Sequence, residues 1–414
     1  ALDEVCYLLN LRGADIAHNP VTLSYVLVSA DACTLFVDRA KLSDDVVKYL
    51  SESGVTVADY EGVVAAVEEH VGAGDKVMVD TARVNHGLCM LIPKEKLVNL
   101  PSPVGDSKSI KNPAEMAGMV DAHRRDGAAM ANFLSWLFDT VAGPEGRPVS
   151  EVEAGDVVTR FRSEQAGFLD TSFPSIAGAG PNGAIIHYRA EAETCGEVTN
   201  DCMFLLDSGG QYEDGTTDVT RTVHLGSPTE FERQCFTRVL KGNIQLDSVR
   251  FPEGTPGFVL DVLARTALWE AGLDYGHGTG HGVGAALNVH EGPISISPRF
   301  KNMSPLKEGM VVSNEPGFYK RDAFGIRIEN LLSIVRVNPE HEGETAKEGA
   351  WLGFERLTHI PIQKSLIDVS LLTPKEVEWI DRYHSEVWEL VSPSETLTER
   401  SRAWLREATT PLAK

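Results

Sequence analysis

The sequence predicts two unequal parts, a smaller α/β domain over residues 1–108 and a larger α+β domain over 109–414. Three observations carry that division. Helix and strand signals alternate through the opening quarter, as in a layered α/β unit. A stretch rich in Pro, Ser and Gly, Leu100–Ser109, follows and reads as a linker. Beyond Thr171 the texture changes to short strands and glycine-rich turns interrupted by helices, an α+β pattern.

Taken in order, Val21–Ser29 and Thr34–Val37 are β-rich runs, Ser43–Ser51 is a helix, and Lys76–Val79 is a short strand after the Gly72–Asp75 turn. Asn112, Pro113 and Glu115 form a helix start: a capping side chain, a Pro whose missing N–H costs nothing there, and an acid reaching back to the cap. Met116, Met119, Val120, Ala128, Ala131, Phe133 and Leu134 carry that helix to about Phe138, and further helices are expected over Glu230–Val249 and Pro256–Ala271.

Composition narrows the function. Of 414 residues, 42% are hydrophobic and 24% charged, which excludes wholesale disorder. Thirty-eight Lys and Arg against sixty Asp and Glu leave a net charge of −22, which repels phosphate backbones and anionic lipid. Neither nucleic acid nor membrane is therefore expected as a partner, and no apolar run approaches the ~20 residues that span a bilayer. The six cysteines form no Cys-x-x-Cys pair; each reads as a small buried hydrophobe in a reducing, cytoplasmic compartment. The chain opens without an initiator Met or a signal-like segment, and reads as a fragment whose native N-terminal part is missing.

Five stretches place acids and histidines where burial would otherwise favour apolar residues. In the first, an apolar strand ends on Asp207, a Gly-rich loop turns back, and a β-branched strand carries Asp218. Across a hairpin their Cβ atoms could lie about 5 Å apart, where two carboxylates repel unless a proton or cation intervenes; the alternative is a solvated acidic hairpin tip. The second is His277-Gly-Thr-Gly-His281-Gly-Val-Gly284 with His290 after it, glycines that let backbone approach an ion or ligand closely. In the third, a strand runs into Glu315 at a Pro-Gly turn. The fourth, Gly325-Ile-Arg327-Ile-Glu329-Asn330, puts Arg327 and Glu329 on one face, as metal-site groups or as a solvent-side ion pair on an edge strand. In the fifth, His187 follows what reads as an apolar strand.

Asp207, Asp218, His281, Glu315 and Glu329 together supply four carboxylates and one imidazole, a donor set suited to Mn, Co or Zn. Four negative charges are most simply balanced by two divalent cations, roughly 3.5–4 Å apart.

With these motifs in this order, the chain resembles the pita-bread metallopeptidases, and within them the eukaryotic cytosolic X-prolyl aminopeptidases (aminopeptidase P). The phrases Gly183–Tyr188, Tyr212–Thr222, His277–Gly284 with Asn288–Gly292, and Ala323–Asn330 carry the likeness, and Asn10–Asp15 with Asn19-Pro20 extends it over the whole chain. The resemblance implies a C-terminal pita-bread catalytic domain preceded by a smaller, creatinase N-terminal-like α/β domain. It implies hydrolysis of the bond between an N-terminal residue and a following proline, by a hydroxide bridging two divalent metals, most simply Mn2+, with Zn2+ or Co2+ as alternatives. Asp207 would bind one metal, Asp218 and Glu329 would bridge, and His281 with Glu315 would complete the second. Glu315 would also be the general base, His290 would stabilise the oxyanion, His187 and His277 would stand around the proline, and Arg327 would orient the cleft carboxylates. The partners implied are peptides with proline second and a second copy of the chain, with the Thr266–Gly272 helix end and Trp269 as the candidate dimer contact. A prolidase-type dipeptidase and an inactive binding protein of the same fold are the competing readings.

Overall fold

The computed structural model describes residues 1–144, 146–338 and 350–412. The chain divides into two compact units, Ala1–Lys108 and Ser109–Lys414.

In the first unit the strands Ser24–Val28, Cys33–Val37 and Val55–Asp59 form one sheet. The first pair is antiparallel; the second is parallel and joined through the helix Asp44–Glu52, which starts at the Ser43 cap. Alternation along Cys33–Val37 sorts the core: Leu35 and Val37 pack with Val5, Leu9 and Leu50 on one face, while Phe36 packs with Val63, Val67 and Ile92 on the other. A second parallel pair, Val77–Val79 and Leu97–Asn99, is bridged by the helix His86–Met90. Leu100–Ser109 is not a bare linker. Pro103–Ser109 is helical, and its Lys108 is buried and pairs with Asp3 at 2.9 Å. Pro in the first turn needs no hydrogen-bond partner, so the residue that reads as a breaker starts this helix.

The second unit opens with the 30-residue helix Pro113–Ala142, whose Asn112 and Glu115 form the reciprocal cap expected. It runs to Ala142 because Val141, one turn beyond Leu137 and Phe138, still packs in the core. With Glu151–Ser163 it covers the sheet Ile176–Ala179, Met203–Ser208 and Val219–His224. The helices Glu230–Asp247 and Phe258–Trp269 lie with a six-stranded sheet, ordered Phe251–Pro252, Trp351–Arg356, Asn330–Val337, Val311–Asn314, Gly280–Gly282, Glu291–Ile296. All three strands of the smaller sheet are buried along their whole length, which accounts for the unbroken apolar run Met203–Leu206 in its central strand. All six cysteines are free thiols. Among the described residues no helix is long and apolar enough to cross a membrane.

Candidate metal centre

Two sheets of the larger unit meet at the predicted ligands. Met203–Ser208 pairs with Val219–His224 so that Asp207 lies opposite Thr220, with Asp218 one residue before that strand. Asp207 and Asp218 are therefore diagonal neighbours on one face, not directly opposed. The loop between them is no simple turn either: Gly210–Tyr212 and Gly215–Thr216 pair with each other in a separate sheet.

From the six-stranded sheet, Gly280–Gly282 brings His281, Val311–Asn314 ends just before Glu315, and Asn330–Val337 begins just after Glu329. Gly280 is required for this approach, since a Cβ there would fall 2.0 Å from the Ser313 carbonyl oxygen. Ligand atoms of Asp218, His281 and Glu329 all lie within 4.8 Å of one another, and His281 Nε2 is 3.5 Å from both Asp218 Oδ2 and Glu315 Oε1. His281 Nδ1 donates to the Gly282 carbonyl at 2.9 Å, so Nε2 is the nitrogen turned to the carboxylates.

Arg327 and Glu329 are not an edge-strand pair. They are 2% and 1% exposed, with Ile326 and Ile328 in the core behind them. Arg327 donates to Asp207 Oδ2 at 2.5 Å, to Tyr319 at 2.7 Å and to Thr220 Oγ1 at 3.1 Å, and Thr220 in turn donates to Glu329 at 2.8 Å. Ser313 holds Glu315 at 3.0 Å.

Charge crowding shows in the proton affinities. Burial first, then neighbouring carboxylates, raises Asp218 to about 6 and Glu315 to about 7, and takes Glu329 well above the usual range. Burial alone would lower His281, but the bond to Asp218 and the charge of Glu315 outweigh it and raise the imidazole to about 9. The other oxygen of the buried Asp207 carboxylate, Oδ1, meets no hydrogen-bond donor among the described residues. An unpartnered carboxylate oxygen beside three more carboxylates fits a cation and little else.

The remaining predicted residues line the same cavity of 840 Å³. His290 sets its ring edge-on to His281, centroids 4.3 Å apart. His277 is lowered to about 4 by burial, and both its nitrogens are engaged, Nδ1 with the Gly278 carbonyl and Nε2 with Tyr319. That geometry makes His277 a support for the Tyr319–Arg327 pair and leaves it no free proton-transfer atom. His187 is exposed in a turn after the short helix Gly180–Ala184, not at the end of a strand, because Ile185 is half exposed and its backbone bonds locally, its N–H to the Asn182 carbonyl and its carbonyl to the Tyr188 N–H. Thr220, Ser313 and Tyr319 were not singled out from the sequence; each stands two or four residues from a predicted ligand.

This arrangement has close counterparts among known proteins. Residues 117–336 match the sequence model of metallopeptidase family M24. The chain belongs to that family. Flanking the M24 match, residues 1–115 match the creatinase/prolidase N-terminal domain and residues 350–412 the C-terminal region of M24 peptidases. The larger unit is thus a pita-bread M24 domain, preceded by a creatinase-type domain. Aminopeptidase P2 of Arabidopsis thaliana is 46% identical, over 100% of this chain and 61% of that protein. A probable Xaa-Pro aminopeptidase P of Botryotinia fuckeliana is 44% identical, over 99% of this chain and 64% of its own length. The crystal structure of X-prolyl aminopeptidase from Caenorhabditis elegans, described as a cytosolic enzyme with a dinuclear active site, superimposes with a TM-score of 0.93 at 36% identity, covering 99% of this M24 chain and 67% of that one. This chain therefore spans about three-fifths of the first two relatives.

Proposed function

We propose that the protein is a metallo-aminopeptidase that releases an N-terminal residue preceding proline. The observation that carries this reading is the convergence of Asp207, Asp218, His281, Glu315 and Glu329 on one cavity, with a buried Asp207 oxygen unpartnered. The names of the relatives support the choice of substrate. Two divalent cations, Mn2+ by preference and Zn2+ or Co2+ as alternatives, would be held by these five side chains. When bound they supply positive charge to a carbonyl oxygen and bring the pKa of a water towards ~7.

The chain's own residues do the rest. Glu315, held by Ser313, takes the proton from the attacking water and passes it to the leaving nitrogen. Like any amide nitrogen, the proline nitrogen leaves as an amine only once it has gained a proton, which Glu315 carries to it. His290, facing the cavity beside His281, donates to the developing oxyanion. Arg327 fixes Asp207. Phe173, Pro174, Ile176 and Ile186 give the cavity an apolar wall suited to a proline ring. Trp269, 50% exposed at the end of Phe258–Trp269 with Val259 and Val262 exposed on the same helix, is the proposed contact of a homodimer. A cytosolic setting is consistent with the description of the nematode relative.

The deciding experiment offers the Mn2+-loaded protein matched substrates: an X-Pro-Pro tripeptide, the Gly-Pro dipeptide and an X-Ala-Pro control. Release of the first residue from the tripeptide alone is the expected result. Exclusive dipeptide cleavage would make the protein a prolidase, and no cleavage of any would make it a binding protein. In the same assay His290→Ala is expected to lower kcat by about a hundredfold, as loss of one oxyanion donor does, with metal content by elemental analysis unchanged. A metal-free product would make His290 a ligand.

A further inference from the structure

The cleft wall that carries His187 is held by a buried carboxylate with no part in the chemistry just described. Glu151 opens the helix Glu151–Ser163 and is 0% exposed. Every hydrogen bond it receives comes from a neutral donor. Oε1 accepts from the Ala179 N–H at 2.6 Å and from Asn182 at 3.0 Å; Oε2 accepts from the Gly196 N–H at 2.6 Å and from the Tyr188 hydroxyl at 2.7 Å. These donors stand at the start, in the middle and at the end of the segment 180–196, so one side chain draws the whole loop together. The Glu151 N–H also donates to the Gly196 carbonyl at 3.1 Å, and the neighbouring Val149–Ser150 pairs with Glu197–Val198 at the base of the loop. Gly196 sits close to the clamp: a Cβ there would lie 3.2 Å from Glu151 Oε1 and from Asn182 Nδ2, so both side chains would have to give by a few tenths of an ångström.

The helix Gly180–Ala184 at the start of the loop is seated on Gly325, where a Cβ would fall 1.7 Å from the Gly183 carbonyl oxygen, but the part beyond it has less to fix it. That short helix is the loop's only regular structure, and Ile186, His187, Tyr188 and Arg189 face the cavity from the part beyond. His187 is exposed, so packing does not set its place; the backbone does. Hydrogen bonds to an ionised acceptor are the strong ones, and burying that acceptor is tolerable only when all its oxygens are met.

We propose that Glu151 is a positioning residue that clamps the 180–196 loop as the substrate-facing wall of the cleft, setting affinity for the peptide and not the rate of the chemical step. The substrate named in the test rests on the X-Pro reading, whereas the clamp does not. Two readouts on the metal-loaded full chain test it. Glu151→Gln turns an N–H2 towards donors, so the loop should loosen and trypsin should nick after the exposed Arg189 about tenfold faster under native conditions. On the X-Pro-Pro peptide KM should rise about tenfold with kcat within about twofold of wild type, and metal content should be unchanged. Tyr188→Phe removes one donor only and should move both readouts the same way by less; it carries the test should Glu151→Gln fail to fold. An unchanged nicking rate, or a fall in kcat at constant KM, would overturn the clamp. A wild-type protein inert on every X-Pro peptide would defeat the proposed activity, while the nicking rates still decide the clamp.

Discussion

Asp218→Ala is expected to lower kcat/KM on an X-Pro peptide by at least about a thousandfold with Mn2+ in excess, and to lower the number of tightly held metal ions per chain. The reason lies in where Asp218 stands. It stands 3.5 Å from His281, within 4.8 Å of Glu329 and close enough to Asp207 to feel its charge, so its oxygens lie between the groups brought by the two sheets. The same substitution should spare the fold. In the metal-free chain a buried Asp218 is a liability, since burial and Asp207 both disfavour its charge. Removing it relieves repulsion, and the thermal midpoint of the metal-stripped variant at pH 8 should equal or exceed that of metal-stripped wild type. Calorimetry and elemental analysis on the two proteins check both halves. Wild-type turnover in the variant, or a collapse of its apo stability, would show that Asp218 serves the fold and not the metals.

The five proposed ligands were legible because each interrupts an apolar or glycine-rich run with a charge that no surface explains. Three residues that hold them follow a different rule, strand alternation, which marks out Arg327 and extends to Thr220 and Ser313. Thr220 is two beyond Asp218, Ser313 two before Glu315, and Arg327 two before Glu329, so strand alternation places each on its ligand's face. Tyr319, four beyond Glu315, belongs to the ribbon Gly317–Lys320, and its partnership with Arg327 depends on the pairing of Gly317 with Arg327 across that ribbon. No local pattern encodes such a pairing. The offset of Asp207 from Asp218 has the same origin: register is decided by the extra strands Gly210–Tyr212 and Gly215–Thr216, which the glycines of that loop concealed. The run before His187 reads as a strand because Ile185 and Ile186 look like core residues, yet Glu151, thirty-six positions upstream of His187, bonds to Tyr188 in a loop. The buried triad behind the site, with Arg162 and Tyr212 both bonded to Asp126 at 2.7 and 2.9 Å, links three segments far apart in sequence and gives no sign in any one of them.

Stripping the metals should make stability fall as pH rises, the reverse of what carboxylates usually do. A carboxyl held above its unfolded value of ~4 keeps a proton in the native state that the unfolded chain has already released. Stability is therefore lost as pH climbs from that unfolded value through the folded one, about 6 for Asp218 and about 7 for Glu315. His281 adds to the same slope higher up. Its imidazole is raised to about 9, so the stability its charge contributes is complete below ~6.5 and lost as pH rises through 9. Between pH 5 and 9 the thermal midpoint of the stripped protein should drop by roughly 5–10 °C. Bound cations take the place of those protons, so saturating Mn2+ should flatten the profile, restore activity, and release protons into a weakly buffered solution at pH 6.5. By the same exchange, metal affinity should weaken as pH falls below 7, because protons and cations compete for the same oxygens. A stripped protein whose stability rises steadily from pH 6.5 to 9 would mean that these carboxylates and His281 do not share one buried site, since above the range of the buried neutral histidines their crowding gives the slope its sign.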